Sequence, residues 1–317
     1  MGLVVERAAG AGRSKGDGVV LFSLFAWWTI VMKRTCIGLL VLGSLAAALE
    51  ARAQFPLESI AEQAFTPTEQ EPGEEDEIET DRDSFTPATS VVGYGHTVVE
   101  SAYTFIDNRT VKETHSFPEI VTRIGVTDNI ELRIGWNYEV GGAGNPVSGN
   151  APDDFEEEGA AELEEESRLL YGGKFQLTQQ CDWTPRTALI LQGFTPTSGE
   201  ANDSDFSTTY VGGWQFCEGW EWDSAIRYST SSAEEDHFNV WAPSTVLKVP
   251  VGAGWKAHAE YFGIFTEGRE TESVQHYFSP GFHYLVTPNF ELGVRVGWGL
   301  NDQSPNFFSN FGGGVRF

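Results

Sequence analysis

Two histidines, His258 and His283, sit at matching heights above two turn segments, Pro250 to Ala253 and Thr287 to Asn289, in stretches that alternate with period two. Positions of that kind on antiparallel neighbours touch. Lys256, Glu260, Glu291 and Arg295 share their parity and lie near the same level. Imidazoles among acids and bases can form a polar constriction that selects solutes by charge and titrates at about pH 6–7. The same six side chains also suit a salt-bridge network that fills a narrow interior. Pro280 lies in the segment that carries His283 and predicts a bulge there.

Other chemistry finds little support. The six histidines form no H-x-x-x-H or H-E-x-x-H pattern and no cluster with cysteine, and no D-x-[DN]-x-[DN]-G loop occurs. No G-x-S-x-G elbow is present, and the adjacent pair His115 and Ser116 points to opposite faces of a strand. The sequence therefore nominates no catalytic residue, no metal ligand and no cofactor. A membrane-embedded hydrolase stays open as an alternative only because barrels host such sites.

The elements that carry these side chains are strands. Ile130, Leu132, Ile134, Trp136 and Tyr138 alternate with Glu131, Arg133, Gly135 and Asn137. Phe290, Leu292, Val294, Val296 and Trp298 alternate with Glu291, Gly293, Arg295 and Gly297. Trp220, Trp222, Ile226 and Tyr228 oppose Glu221, Asp223 and Arg227. One face is apolar, with large aromatics toward its ends, and the other combines charge with glycine. This is the pattern of a transmembrane barrel with a lipid face, aromatic girdles and a polar lumen. A charge on the lipid face would cost about 2–4 kcal/mol at mid-bilayer, so the charges belong in the lumen. A water-soluble barrel of the lipocalin kind is the alternative, but such barrels run nearer eight strands.

From Phe85 onward the alternation predicts an all-β, antiparallel up-and-down transmembrane barrel of about 12 strands, the first over Ser90–Ile106 and the last over Phe307–Phe317. Connections alternate between short ones, such as Thr127 to Asn129, and longer ones, such as Gly141 to Glu166 and Thr230 to His237. With both ends of the barrel periplasmic, the short turns fall on the periplasmic side and the long loops outside. In the last strand, Phe317, Val315 and Phe311 point outward and Arg316, Gly314 and Asn310 inward. A terminal Phe317 also resembles the signal that outer-membrane barrels present to their assembly machinery.

Residues 1–31 read as an over-extended start and residues 32–53 as a secretory signal peptide. The peptide has a basic Lys33-Arg34, an apolar stretch from Cys36 to Leu49, and a small-x-small site at Ala51 to Ala53. A membrane anchor over Val19 to Val31 is the rival reading, though it is short for a span. Residues 54–84 read as an acidic, disordered periplasmic segment and residues 85–317 as the barrel. Cys181 and Cys217 then fall in turns on the same side of an oxidising compartment, and a disulfide between them is expected, with two free thiols as the alternative.

The chain has 46 acidic against 20 basic residues, a formal net charge of −26. Such a balance repels phosphate backbones and excludes nucleic acid as a partner. Much of the charge sits in two runs, Glu69 to Asp83 and Asp153 to Glu166, which read as solvated segments. A sharper reading is divalent-cation binding at a lipopolysaccharide-rich surface.

From about Arg82 to Phe317 the chain resembles the outer-membrane proteins grouped as "putative MetA-pathway of phenol degradation", a family of transporters. The resemblance rests on Asp83-Ser84-Phe85-Thr86, the stretch from Glu100 to Phe105 and His115 to Glu119. It continues in Gly125 to Trp136 and in Gly299 to Asn306 before the last strand. It implies an outer-membrane barrel that passes small, aromatic or hydrophobic compounds. Outer-membrane lipid, lipopolysaccharide and a small-molecule solute are the partners to expect. A surface-structural or adhesion barrel without transport is the other alternative.

Overall fold

The structure, a computed structural model, describes residues 77–149, 164–199, 203–216, 219–233, 236–269 and 272–317. The proposed extension (1–31), signal peptide (32–53) and most of the acidic segment (54–76) lie outside the described residues, as does most of the second acidic run.

Twelve strands are formed among the described residues. They are β1 (Thr97–Asp107), β2 (Thr114–Thr127), β3 (Ile130–Gly141) and β4 (Glu164–Thr178). Next come β5 (Arg186–Ser198), β6 (Asp205–Gln215), β7 (Glu221–Ala233) and β8 (Asp236–Gly252). The last four are β9 (Trp255–Glu267), β10 (Val274–Thr287), β11 (Phe290–Gly299) and β12 (Phe307–Arg316). Each pairs antiparallel with its sequence neighbours, and β12 returns to β1 to close the barrel. At the seam Thr97 and Phe317 exchange backbone bonds of 3.1 and 2.8 Å. Closure leaves no sheet edge unpaired, which a strand protein in lipid requires.

The alternation read from the sequence is the alternation observed. On β3, Glu131, Arg133 and Asn137 are buried in the interior, while Leu132, Ile134 and Trp136 are exposed on the outside. On β12, Asn310 and Gly314 face in, and Phe311 and Phe317 face out. Aromatic pairs decorate the outer surface, among them Trp255–Tyr284 at 4.6 Å and Tyr228–Trp241 at 4.8 Å between ring centroids. No described helix is long and apolar enough to cross a membrane; the strands do the crossing.

Three expectations are corrected. First, Pro280 does not shift the register. Ser279, Pro280 and Gly281 pair in step with Glu260, Ala259 and His258, and toward β11 the register of Phe278 with Trp298 resumes at Gly281 with Arg295. The ring removes one donor without inserting a residue. Second, the loop from Thr230 to His237 is mostly strand, because alternation continues through it: Ser231 and Phe238 both face in and pair across the hairpin. Third, β1 begins at Thr97 rather than Ser90, and residues 77–84 are no solvated acidic tail. The stretch 77–93 runs through the barrel interior, where Ile78, Asp81, Arg82, Ser84, Phe85 and Thr86 are buried. Gly95, at φ 80°, then turns the chain into β1. The loop after β3 adds Asn145, Val147 and Ser148 to the same interior.

Candidate functional site

The six residues nominated from sequence all face inward, and most of their partners belong to the segment that fills the lumen. On β9, Glu260 accepts hydrogen bonds from the backbone of Phe85 at 2.9 Å and of Thr86 at 2.6 Å, and from the Thr86 hydroxyl at 2.7 Å. Arg295 on β11 pairs with Glu260 at 3.3 Å and donates to the Val147 carbonyl of the β3–β4 loop at 2.5 Å. Glu291 accepts from Thr80 at 2.8 Å. Lys256 lies 3.4 Å from Glu221 and 3.8 Å from Glu77. His258 Nδ1 and His283 Nε2 are 2.6 Å apart, so the two imidazoles touch as their register predicts. His283 faces Asp83 through its other nitrogen.

A second cluster, which the sequence reading did not single out, lies across the barrel on β1 to β4. The Asp81 carboxylate receives Arg133 at 2.7 Å and Lys174 at 3.1 Å, with Arg123 at 3.6 Å. Arg123 is held in turn by Glu100 and Glu131, each at 2.9 Å. Val92 donates its backbone N–H to Glu131 at 2.8 Å. Asp83 pairs with Lys248 at 2.9 Å, and Arg82 pairs with Glu119. Each of these charges therefore meets an opposite one, which is the condition for keeping charge out of water.

The consequence for three of the segment's four acids is direct. Burial alone would push the Asp81 carboxyl up, but Arg123, Lys174 and Arg133 together hold it well below the usual carboxylate range. Asp83 is likewise held low against its burial by Lys248 and the two histidines. Glu79 is drawn down to about 2, Arg186 and Lys248 overcoming the effect of burial.

From mid-barrel toward the long-loop end the filling is apolar. Phe85 joins Ile106, Val147, Phe238, Val240, Phe262, Ile264, Tyr277 and Phe308 in one buried group. A gap of about 10 Å³ beside Phe85, Gln192 and Arg227 has room for a single water. Among the described residues, one backbone–backbone bond, Ile78 N–H to the Pro288 carbonyl at 2.8 Å, joins 78–92 to the wall. Side chains do the rest of the holding.

Two other readings are placed by the structure. His115 contacts the Tyr103 hydroxyl at 2.8 Å on the outer side, whereas Ser116 is buried within, so they make no catalytic pair. Cys181 is exposed in the β4–β5 turn, and Cys217 lies outside the described residues, so the expected disulfide is untouched by the geometry. The lumen segment was hard to find in the sequence because acids dominate it. The signal it does offer is a pair of apolar residues, Ile78 inside the acidic run and Phe85 just after it.

A family model described as "Putative MetA-pathway of phenol degradation" matches residues 80–317, and the chain belongs to that family. The match begins inside the lumen segment rather than at β1. Among solved structures, the COG4313 outer membrane channel from Pseudomonas putida F1 is similar at 11% identity and TM-score 0.53, covering 76% of this chain and 100% of that one. The NanC porin is similar at 8% identity and TM-score 0.45, covering 69% of this chain and 98% of that one. The likeness to the Pseudomonas putida channel speaks to the barrel fold. No curated protein matches the chain in sequence.

Proposed function

We propose, from the membership of this chain in the MetA-pathway family and from its filled lumen, that it is an outer-membrane channel for small molecules. In the state described, residues 77–93 and residues 142–149 close the lumen, and passage follows their displacement. The observation that carries this reading is how the segment is held. A piece of wall would be tied by backbone ladders, whereas this piece is tied by side chains and one backbone bond. Such a segment can leave without dismantling the barrel.

The aromatic character of the solute is part of the same proposal. Departure of Phe85 would uncover Phe262, Tyr277 and Phe308, an apolar slot beside Arg227 and Arg295. A small aromatic acid fits such a slot, its ring replacing that of Phe85 and its carboxylate meeting Arg227 or Arg295. On this reading the lumen charges Lys256, His258, Glu260, His283, Glu291 and Arg295 select and latch rather than catalyse, and the chain is no enzyme. Outer-membrane lipid and lipopolysaccharide surround the barrel, and Phe317 serves its delivery to the assembly machinery.

The filled lumen also favours one rival, a surface-structural barrel that never opens. Liposome swelling with benzoate, sugars and amino acids separates the two. We expect benzoate to enter faster than sugars of similar mass through the wild-type protein, and faster still through Asp81→Asn. No swelling with either protein would establish the structural reading.

A further inference from the structure

The lumen segment and the wall together build an arrangement that is independent of which solute passes. His283 is only 3% exposed, and its Nδ1 has no hydrogen-bond partner. That nitrogen points between two carboxylates, 3.6 Å from Asp83 of the segment and 3.9 Å from Glu291 of β11. One ligand atom from each of the three residues lies within 4.8 Å of the others. We propose that Asp83, His283 and Glu291 form a binding site for one divalent transition-metal ion of the zinc type, which ties the lumen segment to the barrel wall.

The spacing suits such an ion. Tetrahedral zinc with bonds of about 2.0–2.2 Å sets its ligand atoms roughly 3.3–3.6 Å apart. Both measured separations from the imidazole are within a few tenths of an ångström of that range. The outer contacts also suit it. His283 Nε2 lies 2.6 Å from His258 Nδ1. With a metal on Nδ1, the proton resides on Nε2 and is donated to His258, which fixes the ring and its tautomer. Thr80 donates to Glu291 at 2.8 Å and orients that carboxylate. One imidazole with two carboxylates is a mixed set that favours zinc-like ions; calcium and magnesium seek all-oxygen shells. Lys248, 2.9 Å from Asp83, is the opposing charge, so the ion shares that carboxylate with an ammonium. Two ligands come from the wall and one from the segment, which makes the ion a removable tie.

The test uses purified full-length protein in detergent, stripped with chelator and titrated calorimetrically with zinc chloride. Hydrogen exchange of residues 78–92 is followed with and without zinc. We expect one zinc per barrel, slowed exchange in that segment, and binding weakened at least about tenfold in His283→Gln and in Glu291→Gln. The wild-type measurement stands by itself should either variant fail to fold. Absence of saturable zinc binding in the wild type, equal binding in His283→Gln, or binding that leaves exchange of 78–92 unchanged would each overturn the proposal. In the last two cases the ion sits elsewhere or ties nothing. The outcome does not depend on solute passage, so it can fail while the channel reading survives.

Discussion

The ring of Phe85 lies flat on that of Phe262, with centroids 4.3 Å apart and planes 6° from parallel, and the Arg227 guanidinium sits 4.4 Å from the Phe85 centroid. A buried residue of the lumen segment is thus packed between two residues of the wall. Truncating a buried phenylalanine to alanine costs about 3–5 kcal/mol. That cost should fall on docking of the segment rather than on the barrel. In Phe85→Ala we expect exchange of residues 78–92 to accelerate by about a hundredfold or more, since each 1.4 kcal/mol is about tenfold. Thermal unfolding of the strands should move little.

Asp81 and Asp83 should differ in how strongly they latch the segment. Asp81→Asn removes the carboxylate that Arg133 and Lys174 share. Breaking a buried pair in this way costs about 3–5 kcal/mol, because the partners stay charged. Asp83→Asn is milder, since Lys248 keeps Glu79 at 3.9 Å. Single-channel recordings should show open probability rising in the order wild type, Asp83→Asn, Asp81→Asn.

The barrel wall was legible because lipid on one side and a polar interior on the other impose a period of two. Ile134 and Arg133 declare their faces in the sequence and keep them in the structure. The inward parity of Lys256, His258, Glu260, His283, Glu291 and Arg295 was legible for the same reason. What the inward charges meet was not. The partner of Glu291 is Thr80, 211 residues away, and that of Lys174 is Asp81, 93 residues away. No period links such positions, and a carboxylate destined for three cations reads like one destined for water. The acidic composition of residues 77–84 therefore suggested solvation where the fold supplies Arg123, Arg133, Lys174 and Lys248.

Acid should release the segment, and only at low pH. A carboxylate whose value is lower when docked adds docking strength that is present above its free value and lost as pH falls through its docked value. For Glu79 that window runs from 4.5 down to about 2, and Asp81 and Asp83 are also held low. Open probability should therefore be insensitive to these three acids between about pH 5 and 8 and should climb below about pH 4. Single-channel recordings taken from about pH 8 down to about pH 3 check that onset.

The outer face offers a test of the barrel itself. Ile134 is 52% exposed on the outside of β3, while its neighbour Arg133 is buried among Asp81 and Glu131. Arginine is therefore stable one position away from where it should not be tolerated. In Ile134→Arg the guanidinium faces hydrocarbon, at a cost of about 2–4 kcal/mol if the site lies at mid-bilayer and less toward the interfaces. Denaturant titrations in lipid vesicles should show that loss for Ile134→Arg, with the lumen segment still docked. Arg133→Ile should leave the lipid contact unharmed and loosen the segment instead, because Asp81 loses its closest cation. A wall whose two faces were reversed would give the opposite pairing of effects, so the two variants together decide the orientation of β3.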